Sequence, residues 1–301
     1  MKITPQYAFI TDRSFLHPTL FSLWSLLKNS SFSSPIIHFW GSQLTETDWA
    51  SVDLIMATCP NAILKKIDLD DNEMRDAAGP SASTHVTAAT MARLFIPRKL
   101  EGRVLYIDGD TIVTSDLSDA FETDMKGYSI GAVRDIVMTK RYLRGNQNKE
   151  ATLKKMEECV SLIGKSTIGD YVNAGVLLID TDMIRSQPDL ISRMENIAHA
   201  SNLPYGDQDH LNHIFTDQIY YLNAAWNASW GRVKEQRELT YKNKGYRSEL
   251  EDRNAKIIHF HGPKKPWLVS RVDFWTAKGR AVMSYRREMR RYAKLFPEMA
   301  L

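Results

Sequence analysis

The chain has 301 residues, 43% of them hydrophobic and 25% charged. That length and balance suit a self-sufficient core and exclude collagen-like, disordered and disulfide-stapled classes. The net charge of +3 hides an asymmetry: from Lys264 onward ten Lys/Arg stand against three Asp/Glu, a net of +7, and the preceding body nets −4.

Met1 to Tyr7 carries no apolar core and no small-residue cleavage site, so no secretory signal is expected. No apolar run reaches the roughly 18 residues of a membrane span. With only two cysteines, Cys59 and Cys159, the expected compartment is the reducing cytoplasm. Tyr7-Ala8-Phe9-Ile10 reads as a buried strand ending at Thr11-Asp12. Leu20, Leu23, Trp24 and Leu27 then recur at helical spacing after Pro18. A second strand over 36–40, a helix over 47–57 and a third strand over 63–67 follow. This β-α-β-α-β order predicts a mostly parallel, doubly wound α/β sheet with helices on both faces.

Residues 70–83 read as a loop, and Thr84 as the cap of a helix through Met91, Leu94 and Phe95 to Pro97. Val104-Leu105-Tyr106-Ile107 is the clearest strand, and it stops at Asp108-Gly109-Asp110. Further strands are predicted over 129–133, 176–179, 219–222 and 257–260. The charged stretch 141–165 reads as an excursion with helical character, and a helical tail begins after Trp267.

In open α/β sheets ligands bind beyond the carboxyl ends of the strands. Asp12, Asp108 and Asp110 follow apolar strands directly, so they are expected at that rim. Two aspartates flanking a glycine suit a hard divalent cation, and they equally suit a self-capping turn. Glycine-rich dinucleotide and P-loop motifs are absent, as are the nucleophile-elbow and His-Glu-x-x-His signatures. Metal-assisted chemistry on a phosphorylated or nucleotide substrate remains. His259 ends another strand, and Gly262, Pro263 and Lys265 follow it. An imidazole completes a carboxylate metal site, and a lysine after a Gly-Pro turn reaches a diphosphate. Tyr171-Val172-Asn173-Ala174-Gly175 and Asp207-Gln208-Asp209 supply groups that suit sugar hydroxyls. The second set also fits the acidic first turn of a helix.

Taken in order, these motifs resemble glycosyltransferase family 8, the group of bacterial lipopolysaccharide galactosyl- and glucosyltransferases that includes glycogenin. The likeness runs over about residues 7–267. It rests on Tyr7 to Asp12, Met91-Ala92-Arg93-Leu94-Phe95, Val104 to Val113, Asn173-Ala174-Gly175-Val176, Asp207-Gln208-Asp209 and His259 to Trp267. The resemblance implies a GT-A type nucleotide-diphosphosugar transferase fold, a manganese ion (magnesium as the substitute), a UDP-sugar donor and retention at the anomeric carbon. It assigns Asp108, Asp110 and His259 to the metal, with Asp108 also at the donor ribose. Ile10 and Asp12 fall at the nucleotide, and Gly262 and Lys265 at the diphosphate. Arg93, Asp135, Asn173, Ala174 and Asp207 fall around the donor sugar, with Gln208 nearest the anomeric carbon. Ser14 and Phe15 stand where the family often has Asn and Tyr, so Phe15 stacks on the nucleotide without a hydroxyl.

An amide is a poor nucleophile, so same-face attack by the acceptor hydroxyl is expected, with covalent catalysis by Asp135, Asp207 or Asp209 the alternative. The acceptor is expected to be a glycan or a lipid-linked saccharide. A sugar nucleotidyltransferase and a non-catalytic sugar-nucleotide or glycan-binding protein are the competing functions. Nucleic acid is not expected as a partner. The chain divides into a catalytic domain over 1–267 and a basic tail over 268–301. In the tail Val282, Tyr285, Met289, Tyr292 and Phe296 alternate with arginines at helical spacing. That pattern suits an anionic membrane surface, or a helix packed on the body with a solvated basic face.

Overall fold

A computed structural model describes residues 4–31, 34–70, 88–165, 167–242, 249, 254–269 and 272–299. Among the described residues ten strands are seen: β1 (Gln6–Asp12), β2 (Ile36–Ser42), β3 (Ile63–Leu69), β4 (Arg103–Ile107), β5 (Thr111–Val113), β6 (Ile130–Arg134), β7 (Val172–Asp180), β8 (Ile219–Tyr221), β9 (Ala228–Ser229) and β10 (Ile257–His259). Seven of them form the central sheet in the order β3-β2-β1-β4-β7-β6-β8, and β5-β10-β9 form a second, small sheet. Most of the predicted loop over 70–83, and the cap at Thr84, lie outside the described residues.

The first four strands of the large sheet are parallel, and β1 and β4 are neighbours with Ala8 opposite Tyr106. Asp12 and Asp108 therefore leave the sheet at the same edge. Side chains alternate across it. Tyr7, Phe9, Leu105 and Ile107 enter one core, and Ala8, Ile10, Val104 and Tyr106 enter the other. Both faces are covered, which is why these strands read as continuous apolar runs. The Leu16–Asn29 helix packs Leu20, Leu23, Trp24 and Leu27 on the first face and tolerates Pro18 in its opening turn.

One strand departs from the parallel order. β7 runs antiparallel to both β4 and β6, with Ile107 opposite Val176. It also begins earlier than its apolar run suggested, at Val172. This reversal carries the start of β7, with Asn173 and Ala174, to the rim where β4 ends. β5 and β9 are too short to show as runs in the sequence. They are held by β10, where His259 pairs with Thr111.

The stretch 141–165 holds the end of the Ile136–Arg144 helix and the whole Glu150–Ile163 helix. In the tail, the Ala277–Leu295 helix buries Val282, Tyr285, Met289 and Tyr292 against the first core. Tyr285 and Tyr292 meet Phe21 edge-on at 5.0 and 5.4 Å between ring centroids. The aromatic stripe is thus part of the body and does not face lipid, because burial against Phe21 and Trp24 removes more apolar area from water than a solvated helix would. The basic face points outward. Among the described residues no helix is long and apolar enough to cross a membrane.

Candidate active site

The strand ends deliver two aspartates to one point. Asp108 follows β4, and its backbone N–H donates to Gly175 O at 2.8 Å. Its carboxylate accepts from Tyr106 Oη at 2.5 Å. Gly109 then allows the turn to sit on the first helix: a Cβ there would lie 2.1 Å from Thr19 Oγ1 and 3.2 Å from Thr19 Cα. Close approach, more than turn geometry, explains the glycine. Asp110 is only 7% exposed. It places one oxygen 3.0 Å from His259 Nε2 and the other 2.5 Å from Lys265 Nζ. Burial alone would raise its pKa, but the two cations hold it well below the carboxylate range.

His259 reaches this point from the second sheet. Its Nδ1 lies 2.9 Å from Asn227 Oδ1, while Nε2 lies 3.7 Å from Asp108 Oδ2. Burial lowers its pKa, and the facing carboxylates more than offset this, so the net shift is upward. Gly175 is required by the ring: a Cβ there would come within 2.2 Å of His259 Cε1. Asp108, Asp110 and His259 can each offer one ligand atom, all within 4.8 Å of one another. Two carboxylate oxygens and an imidazole whose other nitrogen is hydrogen-bonded fit a divalent cation of the manganese or magnesium type.

Two cavities meet at Asp108 and Asp110, which line both. One, of about 260 Å³, is lined by Ile10, Asp12, Phe15, Arg93, Asp108 and Asp110 among others. Asp12 caps the turn after β1, accepting from Phe15 N at 3.0 Å and Ser14 Oγ at 2.6 Å. Phe15 faces Trp267 at 6.0 Å and Lys265 at 5.7 Å. The other cavity, of about 360 Å³, is lined by Asp108, Asp110, Asp135, Asn173, Gln208, His259 and Gly262 with Val137, Met138, Tyr205 and His261. Gly262 has φ +89°, a value that side chains disfavour, and so turns the chain from His259 back to Lys265.

Arg93 lines the first cavity and binds three separate elements of the site. It pairs with Asp207 at 2.8 Å and Asp108 at 3.1 Å, and donates to Ala174 O at 2.8 Å. Burial pushes Asp207 up to about 6 even though Arg93 pulls it down. Asp207 and Asp209 lie in the first turn of the Asp207–Ile214 helix, whose cap is Gly206. Gln208 Oε1 accepts from Asn173 Nδ2 at 3.0 Å and from Ala174 N at 3.1 Å. Its amide nitrogen donates to Tyr171 Oη at 3.2 Å. Tyr171 in turn donates to Asp209 at 2.6 Å, and Tyr205 N occupies the other Asp209 oxygen at 2.8 Å. Asp135 caps the Ile136–Arg144 helix through Oδ1, leaving Oδ2 toward Asn173 Nδ2 at 3.4 Å.

Every residue singled out in the sequence lies within this one region. Three that matter to its geometry were not given a role there. Asn227 orients His259, Tyr106 holds Asp108, and Tyr171 links Gln208 to Asp209. Tyr106 and Tyr171 sit inside the motifs, where a polar tip at a strand end is a usable signal. Asn227 has no sequence signal, because its partners Asn173 and His259 are distant in the chain.

The profile of glycosyl transferase family 8 matches residues 6–270. General stress protein A of Bacillus subtilis (strain 168) is 30% identical over 193 residues, covering 62% of this chain and 61% of that protein. Glycosyltransferase GlyF of Streptococcus pneumoniae serotype 4 is 29% identical over 61% of this chain but only 38% of its own length. The chain thus spans less than two thirds of these relatives. Among solved structures, galactosyltransferase LgtC in complex with donor and acceptor sugar analogs superposes with TM-score 0.70 at 21% identity, covering 93% of this chain and 94% of that one. The apo structure of the bifunctional glycosyltransferase WbbM gives TM-score 0.67 at 20% identity over 97% of this chain and 51% of its own. These structures share the GT-A fold with it. The chain belongs to glycosyl transferase family 8.

Proposed function

We propose that this family 8 member is a metal-dependent retaining hexosyltransferase. It moves galactose or glucose from a UDP-sugar to a glycan or lipid-linked saccharide acceptor, as in lipopolysaccharide assembly. The single observation that carries this is the Asp108, Asp110 and His259 cluster at the junction of two cavities. The cavity beside Asp12 and Phe15 takes the nucleotide, and the cavity beside Asp135, Asn173 and Gln208 takes the sugar.

The bound divalent ion, manganese or magnesium, would neutralise diphosphate charge and stabilise the leaving group. The chain's own groups do the rest. Lys265, beside Asp110, supplies a further positive charge to the diphosphate. The Gly262 turn presents that lysine. Arg93 and the Ala174 peptide hold the sugar side of the donor, with Asp207 keeping the guanidinium in place. Gln208 is fixed by three hydrogen bonds and stands beside the reacting carbon as an oriented dipole.

The hydrogen bonding favours same-face attack by the acceptor over a covalent intermediate. Both Asp209 oxygens are engaged, Asp207 pairs with Arg93, and Asp135 caps a helix through one oxygen. A nucleotidyltransferase is disfavoured because Asp12 opens a short capped turn where that class needs a basic triphosphate loop. Functionally the chain divides into a catalytic body over 1–267 and a basic tail over 268–301. The outward arginines of the tail would meet an anionic membrane, placing the enzyme in the cytoplasm, peripherally on the inner leaflet.

The test is UDP release from a panel of UDP-sugars with manganese, together with thermal unfolding in UDP, in manganese and in both. One UDP-hexose should turn over, and the combined ligands should raise Tm by more than the sum of each alone. Absence of any shift with both ligands would sink the assignment.

A further inference from the structure

We propose that Phe274 and Trp275 form a rigid hook that inserts into the interface of an anionic membrane, with the tail helix lying alongside. This rests on the membrane contact assigned to the tail above, and it changes which residues make that contact.

The helix itself has no apolar stripe left to offer, since Tyr285, Met289 and Tyr292 are buried in the body. Yet Trp275 is 91% exposed, Phe274 60% and Leu268 71%. Two adjacent large aromatic side chains, Phe274 and Trp275, held in water cost solvation and mark a contact surface. The turn that carries them is tightly built. Trp275 N donates to Asp273 Oδ1 at 3.0 Å, and Thr276 Oγ1 donates to Asp273 O at 3.0 Å. Arg280 Nη1 donates to Trp275 O at 2.8 Å. The turn also presses on the helix at Gly279, where a Cβ would lie 1.7 Å from Asp273 O. These bonds satisfy backbone groups that would otherwise resist leaving water.

Charge selects the occupant. Arg280, Arg287, Arg291 and Lys294 recur at spacings of seven, four and three, so they form one exposed stripe running away from the hook. Glu288 sits within the stripe, accepting from Lys28 at 2.7 Å and from the stripe's own Arg291 at 2.6 Å, while Asp273 holds the turn, so the stripe keeps a net positive charge. Indole and phenyl rings beside a cationic stripe match the headgroup region of an anionic bilayer.

The experiment is co-sedimentation of the full chain with vesicles of phosphatidylcholine alone and of phosphatidylcholine and phosphatidylglycerol in equal parts. It compares the wild type, the double variant Phe274→Ser/Trp275→Ser, and the triple variant Arg287→Gln/Arg291→Gln/Lys294→Gln. The wild type should bind only the mixed vesicles. The hook variant should lose about tenfold or more in partitioning with unchanged thermal unfolding. The charge variant should weaken with it, and the lipid-induced blue shift of tryptophan emission should vanish in the hook variant alone. If the wild type binds and the hook variant binds equally well, the hook is refuted while the electrostatic contact stands. If the wild type ignores mixed vesicles, the membrane assignment of the tail falls and takes the hook with it. A hook variant that alters only the oligomeric state would show that the rings pack against a second copy, which also overturns the proposal.

Discussion

Asn227 Oδ1 lies 2.9 Å from His259 Nδ1. Because Asn227 Nδ2 donates to Asn173 Oδ1 at 2.8 Å, its oxygen is the end that faces the imidazole. Nδ1 therefore carries the proton, and Nε2 is the nitrogen presented to Asp108 and Asp110. The same asparagine joins the Asp108, Asp110 and His259 cluster to the cavity lined by Asn173 and Gln208, since Asn173 also donates to Gln208.

Removing that support should loosen the cluster without touching a ligand. Asn227→Ala is expected to weaken manganese binding about 10–100-fold, as loss of an outer partner does elsewhere. Manganese titration followed by electron paramagnetic resonance reads it directly. Unchanged affinity would mean that His259 is oriented by packing alone.

Asp110 faces His259 and Lys265, so its loss has two consequences. Asp110→Ala should abolish turnover while circular dichroism stays native. Leaving His259 and Lys265 without their anion should also lower stability by about 3–5 kcal/mol. Asp110→Asn keeps the shape and separates the effects. Wild-type turnover in either variant would refute the metal assignment.

Tyr171 is a positioning residue. Tyr171→Phe removes the acceptor of the Gln208 amide and one donor to Asp209. The expected result is a kcat lower by about tenfold, the equivalent of one lost hydrogen bond, with KM for the donor unchanged. A change confined to KM would assign the tyrosine to donor binding.

Asp207 sets a pH limb. Its pKa in the folded chain, about 6, lies above the ordinary 3.8 because it is buried. The folded state thus holds the proton more tightly, so this group's contribution to stability is full below pH 3.8 and lost as pH rises through about 6. Activity should run the other way, since only the ionised form pairs fully with Arg93. The profile of kcat/KM should fall below about pH 6, and residual activity of Asp207→Asn should lack that limb.

What the sequence determined was local. Apolar runs buried on both faces marked β1, β2 and β4, and the abrupt stop at Asp108-Gly109-Asp110 marked the rim. Strand ends lie together in any parallel sheet, so Asp12 and Asp108 could be placed beside each other from the pattern alone. His259 and Lys265 were legible because a strand and a Gly-Pro turn precede them. What only the tertiary structure decided depends on pairing between distant segments. The reversal of β7 brings Asn173 to the Asp108, Asp110 and His259 cluster, yet an antiparallel central strand has the same apolar run as a parallel one. The two-residue strand that follows Asn227 and pairs with β10 has no period to detect. The tail shows the same division: spacing established an amphipathic helix, but its aromatic face could meet lipid or protein. The ring contacts of Tyr285 and Tyr292 with Phe21 settled that choice, because one apolar stripe cannot be buried against both.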